Sequence, residues 1–351
     1  MTVSRAPRLL VPVLLMLIAV PAGFGQTPPD ELSTIMSSQS ISNAQLQQIT
    51  RWVTVCVRSI STGHEAALQR ARTDILALTG PNASQAFREA FAQQFVQQSS
   101  ALMNRFNAEQ SRIIVLALAS SRTPEAIDGL LQALSNSDPV TRLMAATAIA
   151  DLQGNLGPDP NRVVERLGEV VRAEPVPMVK AELCRALRLP QYAQTVVPLL
   201  ADVLTSQTNR YRRDGLGDVA PLLAAVETLG ALPVDGLPAN QKPPVVAALA
   251  NVLQYAVTMY IGGDNIQDAL REDLERIIYR SENLLTKIVA TEGVSNTPKV
   301  AEAMMAGGED ASTAMRTQLD RWLGDGKSPG VLNAAPWSLP SGGGFPEAKS
   351  P

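Results

Sequence analysis

Apolar residues return along most of this chain every three or four positions, the spacing that places them on one face of an α-helix. Phe87, Phe91 and Phe95 fall four apart, Leu102 and Phe106 prolong the seam, and Gln and Ser fill the opposite side. Ile127, Leu130, Leu131 and Leu134 form the next stripe. Leu143, Ala145, Ala146, Ile149 and Leu152 follow, and that helix is expected to end near Gly154. A second pair carries Val163, Val164, Leu167, Val170 and Val171, then Met178, Val179, Leu183, Ala186 and Leu187. Start signals separate the stripes: Thr123-Pro124, Asp138-Pro139, Asp159-Pro160 and Glu174-Pro175. Thr123 and its counterparts are expected to cap free N–H groups, and proline is tolerated at the first helical position. A third pair has Val196, Val197, Leu200, Val203 and Leu204 around Pro198, a loop over 206–218, then Val219, Leu222, Leu223, Val226 and Leu229. Longer helices are predicted near 243–261 and 266–290, and a last one over 298–323 with a break at Gly307-Gly308.

No stretch of alternating β-branched residues competes with this reading, so the fold class is all-α. The helix pairs recur every 35–45 residues. One pair cannot bury its own apolar face, so neighbours must stack, and the expected architecture is an α-solenoid of stacked antiparallel helix pairs. The best units are 123–154, 159–190 and 191–235, within a repeat domain expected over 45–323. Residues 26–44, rich in Ser, Gln, Pro and Asn, read as a polar linker or a loosely docked arm. Residues 324–351 are dominated by Gly, Pro, Ser and Ala and are expected to be a disordered tail. Trp337 and Phe345 stand isolated in it, either as a short binding motif or as incidental residues.

The turn Asn136-Ser137-Asp138-Pro139 leads into Val140-Thr141-Arg142 and an alanine-rich helix, and Pro177-Met178-Val179-Lys180 repeats Pro139-Val140-Thr141-Arg142 at an offset of 38. Arg112 occupies the same place one unit earlier. These residues resemble HEAT-like repeats. The resemblance implies that the basic residue ladders with acidic residues of adjacent turns. Pro198 resembles the proline that kinks the first helix of many such repeats, and the first two units lack it. Position 136 is Asn where the family often has Asp, whereas Glu174 at the matching place is acidic. The basic position is lost in the third unit, where Pro221 stands near it.

The first residues read as an address. Arg5 and Arg8 precede the apolar run Leu9 to Val20, and Ala22, Gly23 and Gly25 follow, as in a cleaved secretory signal over residues 1–25. Twelve residues span about 18 Å as a helix, short of the ~30 Å hydrocarbon core. An uncut membrane anchor is the alternative. No later segment is expected to span a bilayer, with 222–232 the nearest and interrupted by Glu227. Cleavage removes two arginines and leaves a formal charge of −5, which argues against general nucleic-acid binding. The expected place is periplasmic or extracellular, in a bacterium.

Candidate chemistry is sparse. The chain has one His and two Cys, which nearly excludes metal sites and His-based catalysis. His64-Glu65 lacks the second His, because Leu68 stands where it is needed, so His64 reads as a surface or helix-start residue. Cys56 and Cys184 sit in apolar helical stretches and read as two buried thiols rather than a bridge. The run Asp268, Glu272, Asp273 and Glu275, with Arg271 and Arg276, reads as a solvated helix face in which Glu272 and Arg276 pair. No cofactor or metal is expected, and no enzymatic role.

The densest basic cluster is Arg210-Tyr211-Arg212-Arg213 in the third unit's loop. It is a candidate partner-binding site, with a plain solvated loop as the alternative. The leading reading is a non-enzymatic exported scaffold that binds protein partners through a helical-repeat surface. The alternatives are a HEAT-like protein that handles a cofactor or ligand, an association of that family, or an envelope-associated protein that binds anionic polymer through Arg210–Arg213.

Overall fold

The computed structural model describes residues 30–345 except 153, 154, 216 and 264–266. The expected leader and the expected helix end at Gly154 lie outside the described residues. Within them the chain forms fifteen α-helices and no strand. They are α1 (Asp30–Met36), α2 (Asn43–Ser61), α3 (Glu65–Leu78), α4 (Gln85–Ser99), α5 (Ala108–Ser121), α6 (Ile127–Ala133), α7 (Pro139–Asp151) and α8 (Pro160–Ala173). There follow α9 (Pro177–Ala186), α10 (Ala193–Asp214), α11 (Ala220–Gly230), α12 (Lys242–Gly262), α13 (Asp268–Ala290), α14 (Val300–Ala306) and α15 (Ala311–Leu323).

Helices α2 to α13 form six helix pairs in two layers. Even-numbered helices contact one another in succession from α2 to α12, and odd-numbered helices do so from α3 to α13. Each pair buries its stripes against its own partner and the pairs on either side, as an α-solenoid requires. Close approach in the stack depends on missing side chains. A Cβ on Gly168 of α8 would lie 2.3 Å from Leu199 of α10, and one on Gly129 of α6 would lie 2.6 Å from Leu118 of α5. The Phe87–Phe91–Phe95 seam of α4 is fully buried. Trp52 of α2 packs on it, with ring centroids 5.9 Å from Phe91 and 6.5 Å from Phe95. Burial of each such ring contributes about 1.5–3 kcal/mol.

Local signals explain most helix starts. The Asp138 and Asp159 carboxylates accept from the backbone N–H groups of Thr141 and Arg162, with Pro139 and Pro160 at the first helical position. Ser42 with Gln45, and Asn107 with Gln110, form reciprocal caps. Two expected starts differ. Thr123 makes no capping bond; it is fully buried, and Pro124–Ala126 form a 3₁₀ turn before α6. Helix α9 starts at Pro177 rather than at Pro175; the buried Glu174 carboxylate accepts from Arg142 and from the Val176 N–H instead of capping a helix that starts at Pro175.

Both expected flexible flanks are packed where they are described. In the 26–44 segment, Leu32 and Ile35 of α1 are buried, and the Ser84 N–H donates to the Met36 carbonyl at 2.7 Å. The tail expected to be disordered over 324–351 docks as far as Phe345. Leu332 is fully buried, Trp337 is 5% exposed, and the Asn333 amide donates to the Leu339 and Pro340 carbonyls at 2.8 and 3.1 Å. Two apolar anchors and side-chain bonds to main chain hold a composition that reads as unstructured.

Helix α12 also corrects the expectation about membrane spans: at 21 residues it is long and apolar enough to cross a bilayer. Here it is a core helix, with Val245, Val246, Leu249, Leu253 and Ala256 buried between its neighbours.

Candidate functional site

The basic positions Arg112, Arg142 and Lys180 each link one helix pair to the next. Arg112 on α5 donates through Nε and Nη2 to both carboxylate oxygens of Asp138, each at 2.9 Å. Asp138 simultaneously accepts from the Thr141 hydroxyl at 2.7 Å. These donors hold its carboxyl well below the usual range, with Arg112 contributing most. Arg142 on α7 repeats the arrangement one unit on, with two 2.8 Å bonds to Glu174. Its Nη1 also donates to the Asn136 and Ser137 carbonyls at 2.9 and 3.0 Å. Asn136, where an Asp is common in such repeats, donates to Ser111 and accepts from the Asp138 N–H; the acid of that rung stands two residues later.

At the third rung the acid is gone. Lys180 on α9 donates to the neutral Gln207 of α10 at 3.3 Å, and burial pulls its pKa down. The inter-pair polar contact then shifts to α10 and α12. Further on, Glu282 of α13 accepts from the Val300 and Ala301 N–H groups at 2.6 and 2.7 Å and from the Trp322 indole at 3.1 Å. One buried carboxylate thereby caps α14 and fixes α15.

The Arg210–Arg213 cluster is not a loop. Residues 206–214 continue α10, which ends at Gly215 with φ +98°. The helical continuation turns the four residues to different sides. Arg210 and Arg213 stay exposed, and both lie beside Asp214, at 3.7 and 3.1 Å. Tyr211 is buried, and its hydroxyl donates to the Asp218 carbonyl. Arg212 is 4% exposed. It donates to the Asn251 side chain at 3.1 Å, the Asn251 carbonyl at 3.2 Å and Gln254 Oε1 at 2.9 Å. Burial pulls its pKa down to about 10. A four-residue basic patch for anionic polymer is therefore not what the segment forms. Helical phase splits it into two surface arginines and two inward anchors.

Beside Arg212 the tail closes over α12. The guanidinium lies 5.8 Å from the ring centroids of both Tyr255 and Phe345. Gln254 Nε2 donates to the Gly342 carbonyl at 3.2 Å. Asn251 and Gln254 escaped notice in the sequence. Their signal is two amides three residues apart in an otherwise apolar helix, hence a polar stripe on one face.

Elsewhere, two shallow grooves of about 330 and 400 Å³ adjoin at Ser135 and Arg166 on the α6–α8 side. Their arginines engage carboxylates: Arg162 pairs with Asp128 and Arg166 with Glu169. Among the described residues no group of three or more His, Cys, Asp or Glu could hold a metal ion. His64 is an exposed helix-start residue. Cys56 and Cys184 are free and buried, and burial pushes each thiol up to about 12. Arg276 pairs with Glu227 of α11 and Asp273 rather than with the expected Glu272.

Comparison with known proteins agrees with the repeat geometry. No curated protein matches the chain. An engineered protein of known crystal structure is 17% identical, over 83% of this chain and 84% of its own, with a TM-score of 0.31. A likeness that loose carries no argument. Residues 99–188, which contain the Arg112–Asp138 and Arg142–Glu174 rungs, match the family model for HEAT repeats.

Proposed function

We propose that the protein is a non-enzymatic, exported scaffold that binds protein partners through its helical-repeat surface. The observation that carries this reading is the six-pair stack, cross-linked from pair to pair by buried polar rungs. Such a stack offers an extended, rigid surface, which suits broad contacts with macromolecules rather than enclosure of a small substrate. The two grooves on the α6–α8 side are shallow and carry charged side chains among their lining residues. HEAT repeats generally mediate protein–protein interaction, which supports the same reading. Support for export comes from the Arg5 and Arg8 start, the Leu9–Val20 run and the small residues after it.

The test is proximity labelling in the native host with the full chain fused at its C-terminus. Enrichment of a small set of exported or envelope proteins is expected. A set confined to cytoplasmic proteins would sink export, and no enrichment over an unfused labelling enzyme would sink the scaffold reading.

A further inference from the structure

We propose that residues 325–345 form a strap that unlatches as one unit from α12 and α15 while the helix stack stays folded. The strap is tied together by bonds of its own. The Asn333 side chain accepts from the Gly330 N–H at 2.5 Å and donates to the Leu339 and Pro340 carbonyls at 2.8 and 3.1 Å. The Leu339 N–H donates back to the Leu332 carbonyl at 2.9 Å, and the Gly326 N–H donates to Ser341 Oγ at 3.0 Å. These bonds join the start of the segment to its far end, and none of them uses a group of the stack. Gly324, with φ +79°, ends α15 and separates the helix from the strap.

The latch is apolar, and it carries strain. Leu332 is fully buried and Trp337 is 5% exposed. The Trp337 indole N–H is buried with no acceptor among the described residues, so docking takes it from water without a bond in return. The next residue, Ser338, is held at φ +50°, a left-handed conformation that costs any residue with a side chain. Trp322 of α15 is the contrast: its indole donates to the buried Glu282 carboxylate at 3.1 Å, and it belongs to the stack. Ordering the strap also costs chain entropy. A unit with its own internal bonds and a strained attachment opens at a lower free energy than the body it covers. Opening withdraws Leu332 and Trp337 and bares the apolar surface they cover. The fit is closest at Gly330, which lies against the end of α15. A Cβ there would come within 2.6 Å of the Trp322 carbonyl oxygen and 2.7 Å of the Leu323 nitrogen. Both are main-chain atoms of a packed helix end, so a side chain at position 330 pries the strap away.

Native-state hydrogen exchange of the full-length protein, read by mass spectrometry, measures this opening. In the wild type, the amides of residues 332–339 are expected to share one protection level, about ten-fold or more below that of α7, α9 and α11. Gly330→Ala is expected to lower the strap's protection by a further factor of about ten and to leave those helices within about two-fold of the wild type. Ser338→Gly relieves the left-handed strain at an exposed position and is expected to raise the strap's protection. Wild-type exchange of residues 332–339 at the rate of the core helices overturns the proposal, because the segment then opens only with the stack. So does a loss of protection in α7, α9 and α11 as large as that in the strap of Gly330→Ala, and so does a strap less protected in Ser338→Gly than in the wild type.

Discussion

Arg142 of α7 grips Glu174, at the turn before α9, with both ends of its guanidinium fork, each bond 2.8 Å long. The two side chains are 11% and 2% exposed, so this rung is a buried pair joining consecutive repeats. Removing one partner strands the other charge away from water. Glu174→Ala is expected to cost about 3–5 kcal/mol in denaturant unfolding. The Arg162–Asp128 pair, with both side chains more than half exposed, is the control, and Asp128→Ala there should cost under about 1 kcal/mol. Similar losses at the two sites would show that the rung does not carry inter-repeat stability.

Acid should loosen the Arg112–Asp138 rung. Arg112 and the Thr141 donors depress the pKa of Asp138 in the folded chain below its ordinary value of 3.8. A depressed carboxyl contributes stability that is fully present above the unfolded pKa and is lost as pH falls through the folded one. The melting temperature of the wild type should therefore fall more steeply below about pH 4 than that of Asp138→Asn. Parallel acid limbs for the two proteins would contradict this.

Ala146 of α7 is fully buried between pairs, while the adjacent Thr147 is exposed. Ala146→Leu should overpack the stack and cost about 1–3 kcal/mol. Thr147→Ala should change stability by under about 0.5 kcal/mol. Thr141, polar like Thr147, belongs with the buried set because its hydroxyl donates to Asp138. A destabilising Thr147→Ala beside a neutral Ala146→Leu would place the helix in the wrong phase.

The docked tail makes its own forecast. Trp337 is 5% exposed, and Trp337→Ala should cost about 3–5 kcal/mol if its pocket does not collapse. Truncation after Leu323 should also lower the melting temperature, because it uncovers Trp322 and removes Leu332. Unchanged melting in both variants would mean that the segment is not packed in solution.

Both thiols should be inert in the folded protein, since burial pushes each up to about 12 and hides it from reagent. Reaction with a thiol-specific chromogenic reagent should proceed at the rate of global unfolding, and reductant should leave the melting temperature unchanged. Fast stoichiometric labelling under native conditions would contradict the burial.

Periodicity and capping residues determine the helices of this protein. The stripes at Phe87–Phe95, Ile127–Leu134 and Val163–Val171, and the Asp-Pro starts at 138 and 159, act over one or two turns. Their consequences are therefore readable without knowing what lies alongside. The repeated Arg142 and Lys180 mark where rungs form for the same local reason. Only tertiary structure decides what those residues meet. Asn209 to Asp214 reads as a basic loop, but α10 extends through it because Tyr211 and Arg212 find partners on α12, 39 to 44 residues later in the chain. Trp337 and Leu332 reside in a glycine- and proline-rich stretch whose composition reads as unstructured; α15 packs against the turn that carries Leu332, α12 and α15 pack against the turn at 341–344, and the burial of Leu332 and Trp337 offsets the ordering of the stretch. Contacts between segments distant in sequence depend on the shape of the assembled stack, and no local pattern encodes that shape.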